Sequence, residues 1–137
     1  RNRFFEHVLE RSDMRNIVRQ LRAGKSIWYS PDQDFGRDQA VFAPFFGIQA
    51  ATLVATSRLA KMGRAKPVGI AHYRDPITHR YRIVLTPVNE TFPTGDDQQD
   101  ATMINAMLEK AIRVQPEQYM WVHRRFKTRP EGEASLY

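Results

Sequence analysis

Cysteine is absent from the 137 residues, which excludes a disulfide framework and thiolate chemistry alike. No apolar run approaches the roughly 20 residues that a membrane-spanning helix needs. No signal peptide opens the chain; it begins at Arg1 rather than at methionine, inside an already formed pattern, and is read as a fragment. The histidines, His7, His72, His79 and His123, lack the partners of a zinc motif, and none is followed five positions later by Asp or Glu. No internal repeat and no second-domain linker is evident. What is present is a chain that is 42% hydrophobic, enough for one compact domain with a core. Lys and Arg number 21 against 15 Asp and Glu, a net charge of +6. A basic surface of this kind attracts nucleic acid, an anionic membrane face or an acidic partner.

The chain is organised around residues 24–36. Gly24 is placed to stop a helix in a left-handed C′ position. Ile27, Trp28 and Tyr29 form a short run of β-formers, and Pro31 forces the chain out of a sheet. Asp32 and Asp34 then fall just past the end of a strand, where open α/β sheets bind ligands. The plainer alternative is a turn, which Asp also favours. Two carboxylates could hold a divalent cation, but Asp32 could equally orient a base or pair with an arginine. No metal and no cofactor is expected.

Around this stretch the patterns predict a helix over 12–23, capped by Ser12 or Asp13, with Met14, Ile17, Val18 and Leu21 on one face. Residues 40–47 are dense in aromatics and broken by Pro44, which argues against a regular central strand. They read as a core-lining loop, or as the wall of an apolar ligand site built from Phe42, Phe45 and Phe46. A second helix is predicted over 49–63 and stopped by Gly63. Strands are predicted over 67–73 and 81–86; their short link makes them antiparallel. A third helix is predicted from Asp97 to about Val114, acidic at its start and basic at its end, and Pro116 opens a short turn through Gln118. The fold class expected is α/β, a mixed and partly parallel sheet flanked by helices.

The C-terminal stretch interleaves aromatics and cations: Trp121, His123, Arg124, Arg125, Phe126, Lys127 and Arg129. Such a strip suits nucleic acid, with arginines on phosphates and rings on bases, or lipid phosphates, which arginine grips in the same bidentate way.

Three blocks go beyond pattern. They are Ile27-Trp28-Tyr29-Ser30-Pro31-Asp32-Gln33-Asp34-Phe35-Gly36, Val41-Phe42-Ala43-Pro44-Phe45-Phe46-Gly47, and the run from Pro116-Glu117-Gln118-Tyr119-Met120-Trp121 to Arg129-Pro130. Together they closely resemble the late acyltransferases of lipid A biosynthesis, the last block most of all the lauroyltransferase branch. The resemblance implies a glycerol-phosphate-acyltransferase-like α/β fold, of which residues 1–137 are the C-terminal part of a single domain and 123–137 a basic tail. It implies an enzyme at the cytoplasmic face of the Gram-negative inner membrane. That enzyme moves a fatty acyl chain, lauroyl for this branch, from acyl carrier protein to Kdo₂-lipid IVA. Its partners are then acyl carrier protein, the lipid A precursor and the anionic membrane surface, with no nucleic acid. In the family an H-x4-D/E pair supplies the general base, a fitting use of imidazole; this sequence has no such pair, so the base is expected upstream and the chain is expected to be inactive alone. By the same resemblance Arg1 and Asp32 are supporting catalytic residues. Arg3, Asp34, Phe42, Phe45, Phe46, Arg124, Arg125, Lys127 and Arg129 are expected to bind substrate. The alternative kept open is a non-catalytic basic α/β module that binds nucleic acid.

Overall fold

The computed structural model describes residues 5, 8–10 and 12–137. Arg1, Arg3 and His7, three residues singled out above, lie outside the described residues. The order of elements is α1 (Met14–Arg22), β1 (Ala40–Phe45), β2 (Ile48–Leu53), α2 (Ala55–Gly63), β3 (Val68–Arg74), β4 (Tyr81–Pro87) and α3 (Asp97–Ile112). Short 3-10 turns follow at Pro116–Gln118 and Trp121–His123.

Local chemistry accounts for most of the ends. The Asp13 carboxylate accepts from the Asn16 amide and caps α1. At the other end Gly24 sits at φ 79°, its amide bonds Leu21 O, and the Lys25 amide bonds Gln20 O, the paired closure of a Schellman motif. α2 closes in the same way, but the left-handed residue is Arg64, at φ 51°. Gly63 is therefore not the stop expected of it. It is the last helical residue, and it is small because a Cβ there would meet Leu21 Cδ1 at 2.6 Å. The missing methyl lets α1 lie close against α2. Asp96 caps α3 by accepting from the amides of Gln98 and Gln99.

The structure is mixed α/β, with two separate two-stranded antiparallel sheets, β1–β2 and β3–β4. No parallel pair occurs among the described residues. The run at 27–29, expected to begin one, carries no ladder, and Trp28 is 68% exposed. β-forming side chains alone do not make a strand when no neighbouring edge is there to pair.

Residues 40–53 depart furthest from expectation. They form a hairpin in register, with Phe45 opposite Ile48 and Ala43 opposite Ala50. Its loop is Phe46-Gly47, at φ 50° and 78°, the positive pair that a two-residue type I′ connection requires. Pro44 is tolerated because in a two-stranded sheet every strand is an edge. The helix expected over 49–63 is consequently a strand followed by a shorter helix. Small residues such as Ala50 and Ala51 suited both readings; here they let α3 approach the hairpin.

α3 lies on β1 and on the far side meets β3, where Met107 Sδ would be 2.8 Å from a Cβ built on Gly69 and Tyr73 Oη donates to Ala111 O at 2.8 Å. One apolar cluster joins Phe45, Ala50 and Ile112 to Phe46, Leu108, Tyr119 and Phe126. A second joins Ala60, Phe92 and Ile104 to Val88, Met103 and Met107.

A polar group sits at the seam. Asn105 on α3 is fully buried, and its amide donates to Pro44 O and Thr52 Oγ1, each at 3.0 Å. Asn105→Ala removes a donor from a hairpin carbonyl and from Thr52 Oγ1, and an acceptor from Arg125, at about 1–3 kcal/mol for a buried group left without a partner. The expected loss is about 2–4 kcal/mol, read as a lower urea midpoint with an unchanged m-value.

Candidate functional site

Two segments far apart in sequence run side by side: residues 30–36, and the stretch from Tyr119 to Arg129. The link at one end is Tyr119 Oη to the carbonyl oxygen of Asp32, 3.4 Å. Gln33 Nε2 and His123 Nε2 lie 3.5 Å apart in the middle. Asp34 ties the other end. Its carboxylate accepts from the Thr128 amide and hydroxyl, both at 2.9 Å, and from its own turn at the Gly36 amide, 2.9 Å.

Asp32 and Asp34 therefore have different environments despite their spacing. Asp32 is part-buried and accepts from Ser30 Oγ at 2.5 Å. Asp34 is buried and clasps the C-terminal stretch to the turn. A carboxylate that accepts three hydrogen bonds from its own fold has little capacity left for a ligand.

Arg125 is buried, with 2% exposure. Its guanidinium donates to Ala51 O at 2.6 Å, to Thr52 Oγ1 at 2.9 Å and to Asn105 Oδ1 at 3.4 Å. It also lies 5.2 Å from the centre of the Phe45 ring. Burial pulls its pKa below the usual arginine value, while the negative charge available at Tyr119, Asp34 and Asp32 opposes that fall. Arg125 thus faces the hairpin and α3 rather than solvent.

The remaining cations divide. Arg129 donates to Gln49 O at 2.6 Å and pairs with Glu133. Arg124, at φ 46°, is exposed, with its guanidinium 5.8 Å from the Tyr137 ring. Lys127 is exposed. The stretch from Tyr119 to Arg129 is accordingly laced into the fold at Arg125, Thr128 and Arg129 and presents Arg124 and Lys127 outward.

The three aromatics expected to form one wall are not on one face. Side chains alternate along a strand, so Phe42 and Phe45 of β1 point to opposite sides. Phe45 is fully buried in the core. Phe42 is part-buried, with the Arg37 guanidinium 5.5 Å from its ring. Phe46 is in the turn, edge-on to Phe45 at 4.8 Å and near Trp121 at 5.9 Å, with Arg113 over its ring at 4.9 Å.

Sequence reasoning did not single out Thr52, Asn105, Tyr119 or Thr128. Asn105 did carry a signal: it occupies an apolar position in the series Ala101, Ile104, Leu108, Ile112, and a polar residue on a core face has a partner inside. Nothing in the order of residues pairs Thr128 with Asp34.

Several known proteins are similar to this chain in sequence. A family model described as bacterial lipid A biosynthesis acyltransferase matches residues 1–128. The chain is 43% identical over 131 residues to the lipid A biosynthesis palmitoleoyltransferase of Escherichia coli (strain K12), an overlap of 95% of this chain and 42% of the relative. It is 41% identical over 131 residues to the lauroyltransferase of the same strain, covering 95% of this chain and 43% of the relative. The myristoyltransferase of that strain is 35% identical over 138 residues, 100% of this chain and 43% of the relative. The chain thus spans a little over two fifths of the length of these curated relatives.

The Tyr119 phenol gives the site a handle. Burial first, and then the charge of Asp32, push its pKa up to about 12. A folded-state pKa above the unfolded value near 10 means that stability is intact below pH 10 and is lost as pH rises through 12. In melts between pH 9 and 12, the native chain should lose stability over that window more steeply than Tyr119→Phe, which lacks the ionisation. Equal slopes for the two would contradict the assignment.

Proposed function

The chain belongs to the bacterial lipid A biosynthesis acyltransferases, and from that premise we propose that it is the C-terminal part of a single acyltransferase domain, with residues 123–137 as a basic tail. The enzyme moves a fatty acyl chain from acyl carrier protein to a hydroxyl on Kdo₂-lipid IVA. The observation that carries the reading is identity of 41–43% to two such transferases over 95% of the chain. For the acyl group we propose lauroyl, on the strength of the closing block from Pro116 to Pro130. We place the reaction at the cytoplasmic face of the inner membrane. Among the described residues no helix is long and apolar enough to cross a membrane.

In the proposed reaction the acceptor hydroxyl loses its proton to a general base and attacks the thioester carbonyl; the carrier thiolate then leaves and takes up a proton. The base is the histidine of the H-x4-D/E pair, which this sequence does not contain. Asp32 is a supporting residue that orients this base or pairs with Arg1, and Arg1 stabilises the oxyanion or a substrate phosphate. Arg3, Arg124 and Lys127 meet substrate phosphates, and Phe42 and Phe46 face the acyl chain. Asp34 contributes from within by tying the two segments together, and Phe45, Arg125 and Arg129 by tying the C-terminal stretch to the β1–β2 hairpin. We propose that the parallel core and the glycerol-phosphate-acyltransferase-like arrangement belong to the whole enzyme, with residues 27–29 as one of its strands. The nucleic-acid alternative loses its support, because the relatives are acyltransferases by name and Phe126, which it needs for stacking, packs on Phe45 with ring centres 5.8 Å apart.

The test joins this chain to the portion of the E. coli lauroyltransferase that it does not cover. The purified 137-residue chain should transfer no acyl group, since the base alone is worth about 10²–10⁴-fold. The chimera should transfer lauroyl from acyl carrier protein. Asp32→Ala in the chimera should lower kcat at least about tenfold, within the range of a lost acid–base partner, with the melting temperature little changed. A near-normal kcat with a lowered melting temperature would leave Asp32 a structural turn residue.

A further inference from the structure

Asp32 is held at two points. Its carboxylate accepts from Ser30 Oγ at 2.5 Å, and its carbonyl oxygen accepts from Tyr119 Oη at 3.4 Å. The first contact is local, two residues back across Pro31, and fixes only the side-chain rotamer. The second comes from the C-terminal stretch and fixes where the turn stands relative to the rest of the fold. A carboxylate on an irregular segment, with no ladder to hold it, is placed only as well as such contacts place it.

Tyr119 supplies a fixed point for that purpose. It is part-buried and packs against the cluster of Phe45, Ala50 and Ile112. Its ring stands edge-on to Trp121, with centres 4.9 Å apart, and Trp121 is itself tied through Nε1 to Pro116 O at 2.8 Å. The Tyr119 amide also closes the 3-10 turn Pro116–Gln118 by bonding Pro116 O. The hydroxyl thus starts from a packed platform and ends on the acidic turn. Burial and the charge of Asp32 push its pKa up to about 12, so at neutral pH the phenol keeps its proton and remains a donor. A part-buried phenol needs a partner; what sets this one apart is that the partner is Asp32.

We propose that Tyr119 is a positioning residue: its phenol pins the Asp32 backbone, and through it the carboxylate, where the reaction uses it. This rests on the proposed role of Asp32 and adds to it a residue that acts only through Asp32. A carboxylate that orients a base works by geometry, and a misplacement of about 1 Å can cost about a hundredfold in rate.

The experiment puts Tyr119→Phe, Asp32→Ala and the two together into the chimera. Phenylalanine keeps the ring in its cluster and removes only the hydroxyl, and a thermal melt checks that each variant folds. Tyr119→Phe should lower kcat at least about fivefold and leave KM for the acyl donor within about twofold, a loss inside the range that misplacement allows. In the double variant the loss should equal that of Asp32→Ala alone, because a positioning residue has nothing to act on once the carboxylate is gone. Losses that multiply overturn the proposal and make Tyr119 a structural residue. A normal kcat in Tyr119→Phe beside a slow Asp32→Ala also overturns it, and leaves the role of Asp32 standing. A normal kcat in Asp32→Ala removes that role and the proposal together. A second measurement needs no activity. In the 137-residue chain, the tyrosine titration that Tyr119→Phe abolishes should move to lower pH in Asp32→Asn, because a negative charge beside the phenol is removed. An unmoved titration overturns the proposal at its contact.

Discussion

The guanidinium of Arg125 is the contact on which the rest of the arrangement depends. It lies between the β1–β2 hairpin and α3, bonded to Ala51 O, Thr52 Oγ1 and Asn105 Oδ1. The Thr52 hydroxyl is saturated there: it donates to Ala50 O and accepts from both Asn105 and Arg125. Removing one member of such a network strands the others, and that penalty exceeds the net worth of any one bond. A buried charge is also expensive by itself. What offsets it here is a set of oriented acceptors, the Phe45 ring at 5.2 Å, and nearby groups of negative charge.

Because Arg125 is held, its neighbours in sequence are placed. Thr128, three residues on, reaches Asp34, and Tyr119, six residues earlier, reaches the Asp32 carbonyl. The acidic turn and the aromatic–basic stretch are tied to each other by Tyr119 and Asp34, and Arg125 anchors that stretch to the hairpin and α3. The same residues therefore serve a structural end, while Arg124 and Lys127 are exposed and Asp32 is part-buried.

Elements governed by short-range chemistry were readable from sequence. α1 is announced by Asp13, by apolar residues at spacings of three and four, and by Gly24; β3 and β4 by their short polar link; α3 by its acidic start and apolar face. The elements that depend on a remote partner were not readable. The run at 27–29 has strand-forming residues but no ladder among the described residues, and strand formation is decided by the neighbour. The β1–β2 hairpin was obscured by Pro44 and by alanines that suit a helix. Its turn needs a positive φ at Phe46, a residue that gives no such signal, though the Glu109 carboxylate holds its amide at 2.8 Å. Of the candidate site, the two carboxylates and the cations were visible, but their division into inward and outward groups was not. Arg124 and Arg125 are adjacent in sequence and opposite in environment, because Arg124 at φ 46° turns the chain between them.

Amide hydrogen exchange on Arg125→Gln tests the anchor most directly. Glutamine keeps a polar end but lacks the reach and the charge to hold Thr52 and Asn105 together. The Thr128 and Gly36 amides, both bonded to Asp34, should lose protection by at least about tenfold, equivalent to roughly 1.4 kcal/mol. The amides of α1 and α2, which pack against each other away from Arg125, should lose much less. Unchanged protection at Thr128 and Gly36 would contradict the claim that one buried guanidinium holds the C-terminal stretch where Thr128 reaches Asp34.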